Sequence, residues 1–285
     1  MGSKPKVGVS LYSYGWDIKL GKMTVKECVE HAGSLGVEGI ELIDKQHIPH
    51  YPHPTAYDLL DLRDYVESFG MKVACYSTYV DEYMRTGQPA TFEEIVETVL
   101  IDIAEAHLLG TKNLRPAMAQ TDEQRLPDAR RVMEAVLPSL KKYDLKWPIE
   151  IHAPLRPKVL LNFVKEINDK NIGLTPDFSA WQRSGGQTLN GLDKDVAETV
   201  SGFIGNSSVE LLRDCMPYSY NVHAKAHQFD EKGEEPTIPY GELIPIIKKS
   251  GYTGFICAEF EGWMMNRVDS RKIVKTHVDL IRRYL

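Results

Sequence analysis

Residues 91–115 read TFEEIVETVLIDIAEAHLLGTKNLR and hold one full repeat of the pattern that decides the fold. Thr91 and Glu94 form a T-x-x-E capping box, in which each side chain bonds the backbone amide of the other residue at the start of a helix. Gly110 follows the last apolar turn, where a left-handed residue ends many helices. A short run at 112–115 takes the place of a strand in this order, so the stretch predicts a helix, a tight turn and a strand.

The same order of helix, glycine and strand recurs along the chain. Gly36, Gly70 and Gly251 each stand between an amphipathic run and a short apolar run, and Thr24 with Glu27 forms a second capping box. Eight short runs, most of them apolar, are predicted as strands: residues 7–11, 39–43, 72–76, 112–115, 148–152, 172–177, 220–225 and 255–260. Because strands joined by helices pair in parallel, eight such units in 285 residues predict an α/β fold, a (β/α)8 TIM barrel that occupies residues 1–285 as a single domain.

An open parallel sheet is the competing architecture. Its dinucleotide-binding form carries G-x-G-x-x-G after the first strand, and VGVSLYSYG at residues 7–15 lacks that motif. The long stretch at 182–218 is the expected place for an additional loop at the mouth of the barrel.

The charge balance and the cysteines limit the partners and the compartment. The chain has 34 Lys and Arg against 40 Asp and Glu, a net charge of −6. Nucleic acids and anionic membrane surfaces bind concentrated positive charge, so we expect neither as a partner. The four cysteines lack a CxxC spacing and no apolar run reaches 18 residues, which predicts reduced thiols in a soluble, cytoplasmic protein.

Ionisable residues end the last five predicted strands, where a barrel carries its active site. They are Arg115 on strand four; Glu150 and His152 in WPIEIHAP; Asp177 in GLTPDFSAW; His223, Lys225 and His227 in NVHAKAH; and Glu259 and Glu261 in ICAEFEGW. Residues two apart on a strand face the same way, so these groups should converge inside one mouth. Because neighbouring carboxylates repel, three acids and a histidine on four consecutive strands predict a divalent cation. The oxygen-rich ligand set favours Mn²⁺, then Mg²⁺, with Co²⁺ or Zn²⁺ as alternatives.

These motifs resemble those of the sugar phosphate isomerase/epimerase family of xylose-isomerase-like barrels. The likeness covers nearly the whole chain: GVSLYSY at strand one, LGVEGIEL at strand two, PIEIH at strand five, LTPDFS at strand six, NVHAKAH at strand seven and GYTGFICAEFEG at strand eight. The resemblance implies one divalent metal held by a Glu, an Asp, a His and a Glu from strands five to eight. The matching positions are Glu150, Asp177, His223 and Glu259.

The sequence departs from some members of that family. Many members carry D-x-x-H after strand six, where this chain has Ala180. Endonuclease-like relatives also need histidines after strands two and three and a D-x-H after strand seven, and this chain offers Tyr76, Arg115 and AHQFD in those regions. We therefore do not expect a three-metal phosphodiesterase site.

A metal at this position suggests the chemistry. A cation that chelates a carbonyl oxygen and an adjacent hydroxyl acidifies the neighbouring C–H and stabilises the enediolate. A base on one face of the sugar and an acid on the other then give isomerisation or epimerisation, which we predict as the activity. The resemblance assigns this pair to Glu150 and Glu259. His152, two residues beyond Glu150 on the same face, is an alternative base.

A lyase is the alternative activity. If the group β to the carbonyl can leave, the same enolate expels it, as the resemblance to inosose dehydratases and to the catalytic subunits of C-glycoside deglycosidases implies. A barrel that only binds a sugar or serves as a scaffold is a third hypothesis, against which the intact set of ligands argues.

Several further residues are candidates for substrate binding. They are Arg115, Lys225, Tyr12, Trp181 and His227. Cations would meet substrate oxygens and aromatic rings would meet the C–H faces of a sugar, with structural ion pairs and simple packing as alternatives. We expect a small-molecule sugar or sugar derivative as the substrate. The expected assembly is a homo-oligomer, or else a hetero-oligomer with a smaller subunit.

Three histidines lie close together in KQHIPHYPHP, at positions 47, 50 and 53. Because the prolines exclude a helix, we predict a solvated loop without a second metal site.

Overall fold

Eight strands form the centre of the protein, as predicted. The computed structural model describes residues 4–80, 90–117, 123–152, 156–183, 207–262 and 268–285. Within them lie the strands Lys6–Ser10 (β1), Gly39–Ile43 (β2), Lys72–Tyr79 (β3), Leu114–Ala117 (β4), Trp147–Ile151 (β5), Ile172–Pro176 (β6), Asn221–Ala226 (β7) and Phe255–Phe260 (β8). The third strand continues to Tyr79, three residues beyond its predicted end, because its last residues pair with β4.

The strands are parallel and close into a ring. Six of them form one sheet in the order β4-β3-β2-β1-β8-β7, and β5 and β6 form a second sheet. Isolated parallel bridges join the two sheets: Asn113 with Lys146 between β4 and β5, and Leu174 with Ser219 and Asp177 with His223 between β6 and β7. The carboxyl ends of all eight strands therefore meet at one mouth.

Helices cover the outside of the ring. Those described are Gly15–Lys19 (α1), Val25–Ser34 (α2), Asp44–His47 (α3), Ala56–Ser68 (α4), Phe92–Leu108 (α5), Leu126–Tyr143 (α6), Pro157–Ile167 (α7), Val209–Cys215 (α8), Tyr240–Lys249 (α9) and Ser270–Tyr284 (α10). Short 3₁₀ turns lie at Leu11–Tyr14, Glu123–Arg125, Phe178–Trp181 and Met216–Tyr218. Most of the predicted loop at 182–218 lies outside the described residues, and its described end includes α8.

The helix boundaries follow the local signals in the sequence. Thr24 and Glu27 cap α2 reciprocally, and Thr91 and Glu94 cap α5 in the same way, which confirms both predicted capping boxes. The glycines predicted to end helices all have a left-handed backbone: Gly36, Gly70, Gly110 and Gly251. Residues with a Cβ rarely adopt this conformation, so these turns favour glycine.

The two faces of each strand differ in polarity. Outward side chains such as Val222 and Ile256 are fully buried in the apolar core that the strands share with the helices. Inward side chains such as Asn221 and His223 are also fully buried, and both reach across the ring to Glu41. The interior of the ring is therefore a polar space shielded from solvent, in which each charge needs a partner.

Two further expectations concern thiols and membranes. All four cysteines are buried and unpaired, which confirms the prediction of free core thiols. Among the described helices, none combines the length and the apolar character that a membrane crossing requires.

The prediction of a solvated loop is wrong for His47. Residues Asp44–His47 form a single helical turn that ends before Pro49, and the His47 ring is only 2% exposed. The Nδ1 atom of His47 accepts a hydrogen bond of 2.8 Å from the Ile43 amide. The prolines exclude a longer helix, but this one turn precedes them. Burial lowers the pKa of His47 to about 3.

We expect His47 to reduce stability in mild acid. The folded protein keeps this ring neutral down to a pH of about 3, whereas the unfolded chain takes up a proton near pH 6.5. Stability is therefore lost as the pH falls below 6.5, by about 1.4 kcal/mol at pH 5.5 for this group. In His47→Asn the amide oxygen still accepts the Ile43 hydrogen bond but does not titrate. Urea unfolding at pH 7.5 and 5.5 should show a smaller acid loss in the variant, and equal losses would contradict this account.

Candidate metal and active site

Four ionisable side chains from β5 to β8 converge at the mouth of the ring. They are Glu150, Asp177, His223 and Glu259, and each offers one ligand atom within 4.8 Å of the other three. Alternation along the strands directs them inward, since Val222 and Ala224 on either side of His223 belong to the outer core. The structure thus brings together the four residues predicted as metal ligands, in a cluster that could bind a metal ion.

His223 lies at the centre of the cluster and meets carboxylates through both ring nitrogens. Its Nδ1 atom lies 2.7 Å from Glu150 Oε1, 2.8 Å from Glu259 Oε2 and 3.9 Å from Asp177 Oδ2. Its Nε2 atom lies 2.7 Å from Glu41 Oε2 on β2. Burial opposes a charge on the ring, but the surrounding glutamates, Glu259 first, raise the pKa of His223 well above its usual value.

Two carboxylate oxygens of the cluster are buried and accept no hydrogen bond from the described residues. They are Oδ2 of Asp177 and Oε2 of Glu259. The other oxygen of Asp177 accepts a 2.7 Å bond from the Ser179 amide, which holds the carboxylate in place. Burial raises the pKa of Asp177 although Lys225 opposes this shift. Both oxygens have ion-pair contacts, with Lys225 and, for Glu259, also with His223. Buried carboxylate oxygens that accept no hydrogen bond are costly, so their arrangement around one centre fits a bound cation.

Arg115 pairs with Glu150 inside the ring. Its Nη1 donates a 2.8 Å hydrogen bond to Glu150 Oε2, and its Nε donates a 2.9 Å bond to the Ser77 hydroxyl. Burial opposes the charge on Glu150, but Arg115 and His223 hold the pKa of this carboxyl well below its usual range. For Arg115 we considered two roles, substrate binding and a structural ion pair. The structure shows the ion pair, with Glu150. A contact between Arg115 and the substrate stays a prediction.

Lys225 is the second buried cation of the cluster. Its Nζ lies 2.8 Å from Glu261 Oε2, 3.2 Å from Asp177 Oδ2 and 3.4 Å from Glu259 Oε2. Burial would lower the pKa of Lys225, but these carboxylates, Asp177 first, raise it well above its usual value.

Among the residues that the structure describes, negative charge remains in excess around the mouth. The acidic side chains in contact with Arg115, Lys225 or His223 are Glu41, Glu150, Asp177, Glu259 and Glu261. Even with His223 protonated, these carboxylates outnumber the three cations. A divalent cation would reduce this excess, which is a second reason why the residues fit a metal.

The other predicted site residues lie at different depths. His152 is partly exposed just after β5 and interacts electrostatically with Glu150. The Tyr12 hydroxyl lies 3.4 Å from Glu261 Oε1. Within the described part of the chain, Nδ1 of His227 has no hydrogen-bond partner, and burial lowers the pKa of His227 to about 4. Trp181 is 1% exposed, and its indole N–H donates to the Ser208 carbonyl. Roles for these residues in catalysis or substrate binding stay predictions.

Glu41 is a residue of the cluster that was not predicted from the sequence. This residue is fully buried in the middle of β2, where its carboxylate contacts His223 and accepts a 3.2 Å hydrogen bond from Asn221 and another from the Ser77 hydroxyl. A sequence signal does exist, because Glu41 is the sole charged residue in the apolar strand GIELI. An acid in such a strand is rarely buried unless it is paired.

Comparisons with known proteins agree with this fold. The 3'-dehydrocarminate deglycosidase alpha subunit of Microbacterium sp. is 24% identical, over 93% of this chain and 90% of that protein. The C-glycoside deglycosidase alpha subunit of Arthrobacter globiformis is 23% identical, over 99% of this chain and 93% of that protein. D-psicose 3-epimerase of Clostridium cellulolyticum H10, solved with D-tagatose, shares the fold with a TM-score of 0.70 at 14% identity, over 98% and 99% of the two chains.

These relatives are sugar-modifying enzymes that act by different reactions. The sequence profile described as "Xylose isomerase-like TIM barrel" matches residues 29–284, which is most of the chain. The protein therefore belongs to the xylose isomerase-like TIM barrel family.

Proposed function

We propose that the protein is a metal-dependent lyase that removes a proton next to the carbonyl of an oxidised glycoside and releases the group β to that carbonyl. The observation that carries this proposal is the converging set of Glu150, Asp177, His223 and Glu259. Two of its buried carboxylate oxygens accept no hydrogen bond from the described residues, and His152 lies beside it. The similarity to two deglycosidase alpha subunits over nearly the full length supports cleavage as the outcome.

We propose Mn²⁺ as the metal, at about one ion per chain, with Mg²⁺, Co²⁺ or Zn²⁺ as alternatives. Three carboxylates and one imidazole form the oxygen-rich set that such ions accept. When bound, the ion would supply Lewis-acid polarisation of the substrate carbonyl. Arg115 and Lys225 orient Glu150 and Glu259 through contacts of 2.8 and 3.4 Å. Metal analysis of the purified protein tests this assignment. A content of divalent metal far below one ion per chain would contradict it.

His152 is the proposed base, in preference to Glu150. One oxygen of Glu150 accepts a hydrogen bond of 2.8 Å from Arg115, and the other lies 2.7 Å from His223 Nδ1, on the side of the proposed metal. A carboxylate held by a guanidinium is a weak proton acceptor. His152 is partly exposed at the mouth, so its ring can reach a bound ligand. Imidazole is also the side chain whose ordinary pKa lies nearest to neutral pH.

The proposed substrate is a glycoside that carries a carbonyl at its 3' carbon, as the name of one relative indicates for that protein. His152 removes the proton from C2. The electron pair of that C–H bond forms a C1=C2 double bond while the bond from C1 to the aglycone breaks. The aglycone leaves with the bonding electrons and takes up a proton, which protonated His152 can return. The step needs no oxidant, because the sugar is already oxidised.

We also propose that a smaller second subunit accompanies this chain. The support is that both relatives carry the designation alpha subunit. Native mass spectrometry of the complex purified from its source should find two different chains, whereas a complex of identical chains would favour the homo-oligomer.

We expect the metal-loaded protein to exchange a substrate proton with solvent and then to release the aglycone. The experiment incubates 3-oxo-C-glycosides, 3-oxo-O-glycosides, inososes and simple ketoses with the protein in D₂O and follows them by NMR. Deuterium should enter C2 of the 3-oxo-glycosides, because the base exchanges its proton with solvent whenever proton return competes with cleavage. The absence of both exchange and cleavage in every 3-oxo-glycoside would overturn the proposal.

Sugar isomerisation or epimerisation is the second candidate. It is favoured by the approach of Glu150 and Glu259 to one centre, 2.7 and 2.8 Å from His223 Nδ1, as expected for a pair of acid and base glutamates. In the same experiment, an epimer or an aldose formed from a simple ketose, without cleavage of any glycoside, would establish this function instead.

A further inference from the structure

We propose that Glu41 is a positioning residue that holds His223 so that Nδ1 is its metal-binding nitrogen. This inference rests on the metal site of the proposed function. Glu41 belongs to β2, three strands from β7 in the sheet, and although it lies within the motif LGVEGIEL the predicted ligand set does not include it.

The Glu41 carboxylate is held firmly. Its Oε2 lies 2.7 Å from His223 Nε2 and accepts a 3.2 Å hydrogen bond from the Asn221 amide. Its Oε1 accepts a hydrogen bond from the Ser77 hydroxyl. Glu41 is fully buried, so solvent does not compete for these contacts. The carboxylate therefore faces the His223 ring in one fixed orientation.

This contact decides which ring nitrogen is free for a metal. An ionised carboxylate can only accept hydrogen bonds, so the nitrogen that faces Glu41 carries a hydrogen. An imidazole binds a metal through its other, unprotonated nitrogen. That nitrogen is Nδ1, which faces Glu150, Asp177 and Glu259. A carboxylate on the remote nitrogen also raises the basicity of the ligand nitrogen and fixes the plane of the ring.

A purely structural pairing of Glu41 with Arg115 is the competing explanation. The distance from Arg115 Nε to Glu41 Oε1 is 3.7 Å, whereas the contact of Glu41 with His223 is 2.7 Å. Arg115 also makes shorter contacts with Ser77 and Glu150. The close partner of Glu41 is thus the histidine ring.

The test compares Mn²⁺ binding by isothermal titration calorimetry in the wild type, Glu41→Gln and Glu235→Gln. In Glu41→Gln the amide can donate to Nε2 and so favour a hydrogen on Nδ1, where the metal should bind. We expect Mn²⁺ to bind about 10 to 100 times more weakly. Glu235 is a matched control, because it is also a buried glutamate but accepts its hydrogen bonds from Thr237 and Ile238, outside the cluster. Glu235→Gln should bind Mn²⁺ as the wild type does, even if it is less stable.

A spectroscopic measurement on the wild type tests the inference without any variant. In ¹⁵N-histidine NMR of the Zn²⁺-loaded protein, His223 should carry its hydrogen on Nε2 and bind through Nδ1. Binding through Nε2, or wild-type Mn²⁺ affinity in folded Glu41→Gln, would overturn the role of Glu41 alone. A wild-type protein that binds neither ion would instead overturn the metal site itself, so the two failures are distinguishable.

Discussion

Asp177→Asn should lose at least about a hundredfold in Mn²⁺ affinity and should lose its turnover with the metal. The variant keeps the shape of the side chain, and its amide oxygen can still accept the hydrogen bond from the Ser179 amide. It removes the negative charge at Oδ2, the buried oxygen that accepts no hydrogen bond from the described residues. Removing a residue that only supports a metal ligand usually weakens metal binding about 10 to 100-fold. Loss of a ligand itself should therefore weaken Mn²⁺ binding by more than about that amount.

Asp102→Asn is the matched control for this substitution. Asp102 is also buried, and it accepts a 2.7 Å hydrogen bond from Thr78 on β3. Ser77 faces the inside of the ring, so its neighbour Thr78 faces outward, away from the metal cluster. The control should lose stability but keep its metal. Calorimetric titration with Mn²⁺ and circular dichroism on the same samples separate the two effects. Full metal occupancy in folded Asp177→Asn would remove the proposed site.

His152→Ala should keep its metal and lose turnover by a factor of about 10² to 10⁴, which is the usual contribution of a positioned general base. The ring of His152 is partly exposed and is not one of the four clustered ligand residues, so its removal leaves the metal-binding atoms in place. Rates of 3-oxo-glycoside cleavage and of deuterium exchange at C2 should fall together, because both need the base.

Imidazole and a second histidine variant are the controls for this prediction. Added imidazole should restore part of the rate of His152→Ala, since the side chain leaves a space open to the mouth. His107→Ala should leave the rate unchanged, because His107 is exposed on the outer helix α5. An unchanged rate in His152→Ala would return the role of base to Glu150 or Glu259.

Local signals account for most of what could be predicted about the fold. The capping boxes of α2 and α5 act within one helical turn, and the left-handed glycines act at single residues, so each can be identified without the rest of the chain. The end of β3 and the helical turn before His47 were predicted less well. Both depend on contacts with other segments: the pairing of β3 with β4, and the burial of the His47 ring.

The sequence by itself determined the βα repeat and the set of ionisable residues at the ends of the strands, because the alternation of side chains along a strand is a local property. The tertiary structure alone decided which partners these residues have. Glu41 and His223 are separated by 182 positions in the chain, yet their contact is 2.7 Å. Arg115 had two candidate roles in the sequence, and the structure places it against Glu150. Closure of the ring brings these distant strands together, and the exclusion of water then makes each buried charge take the nearest opposite charge.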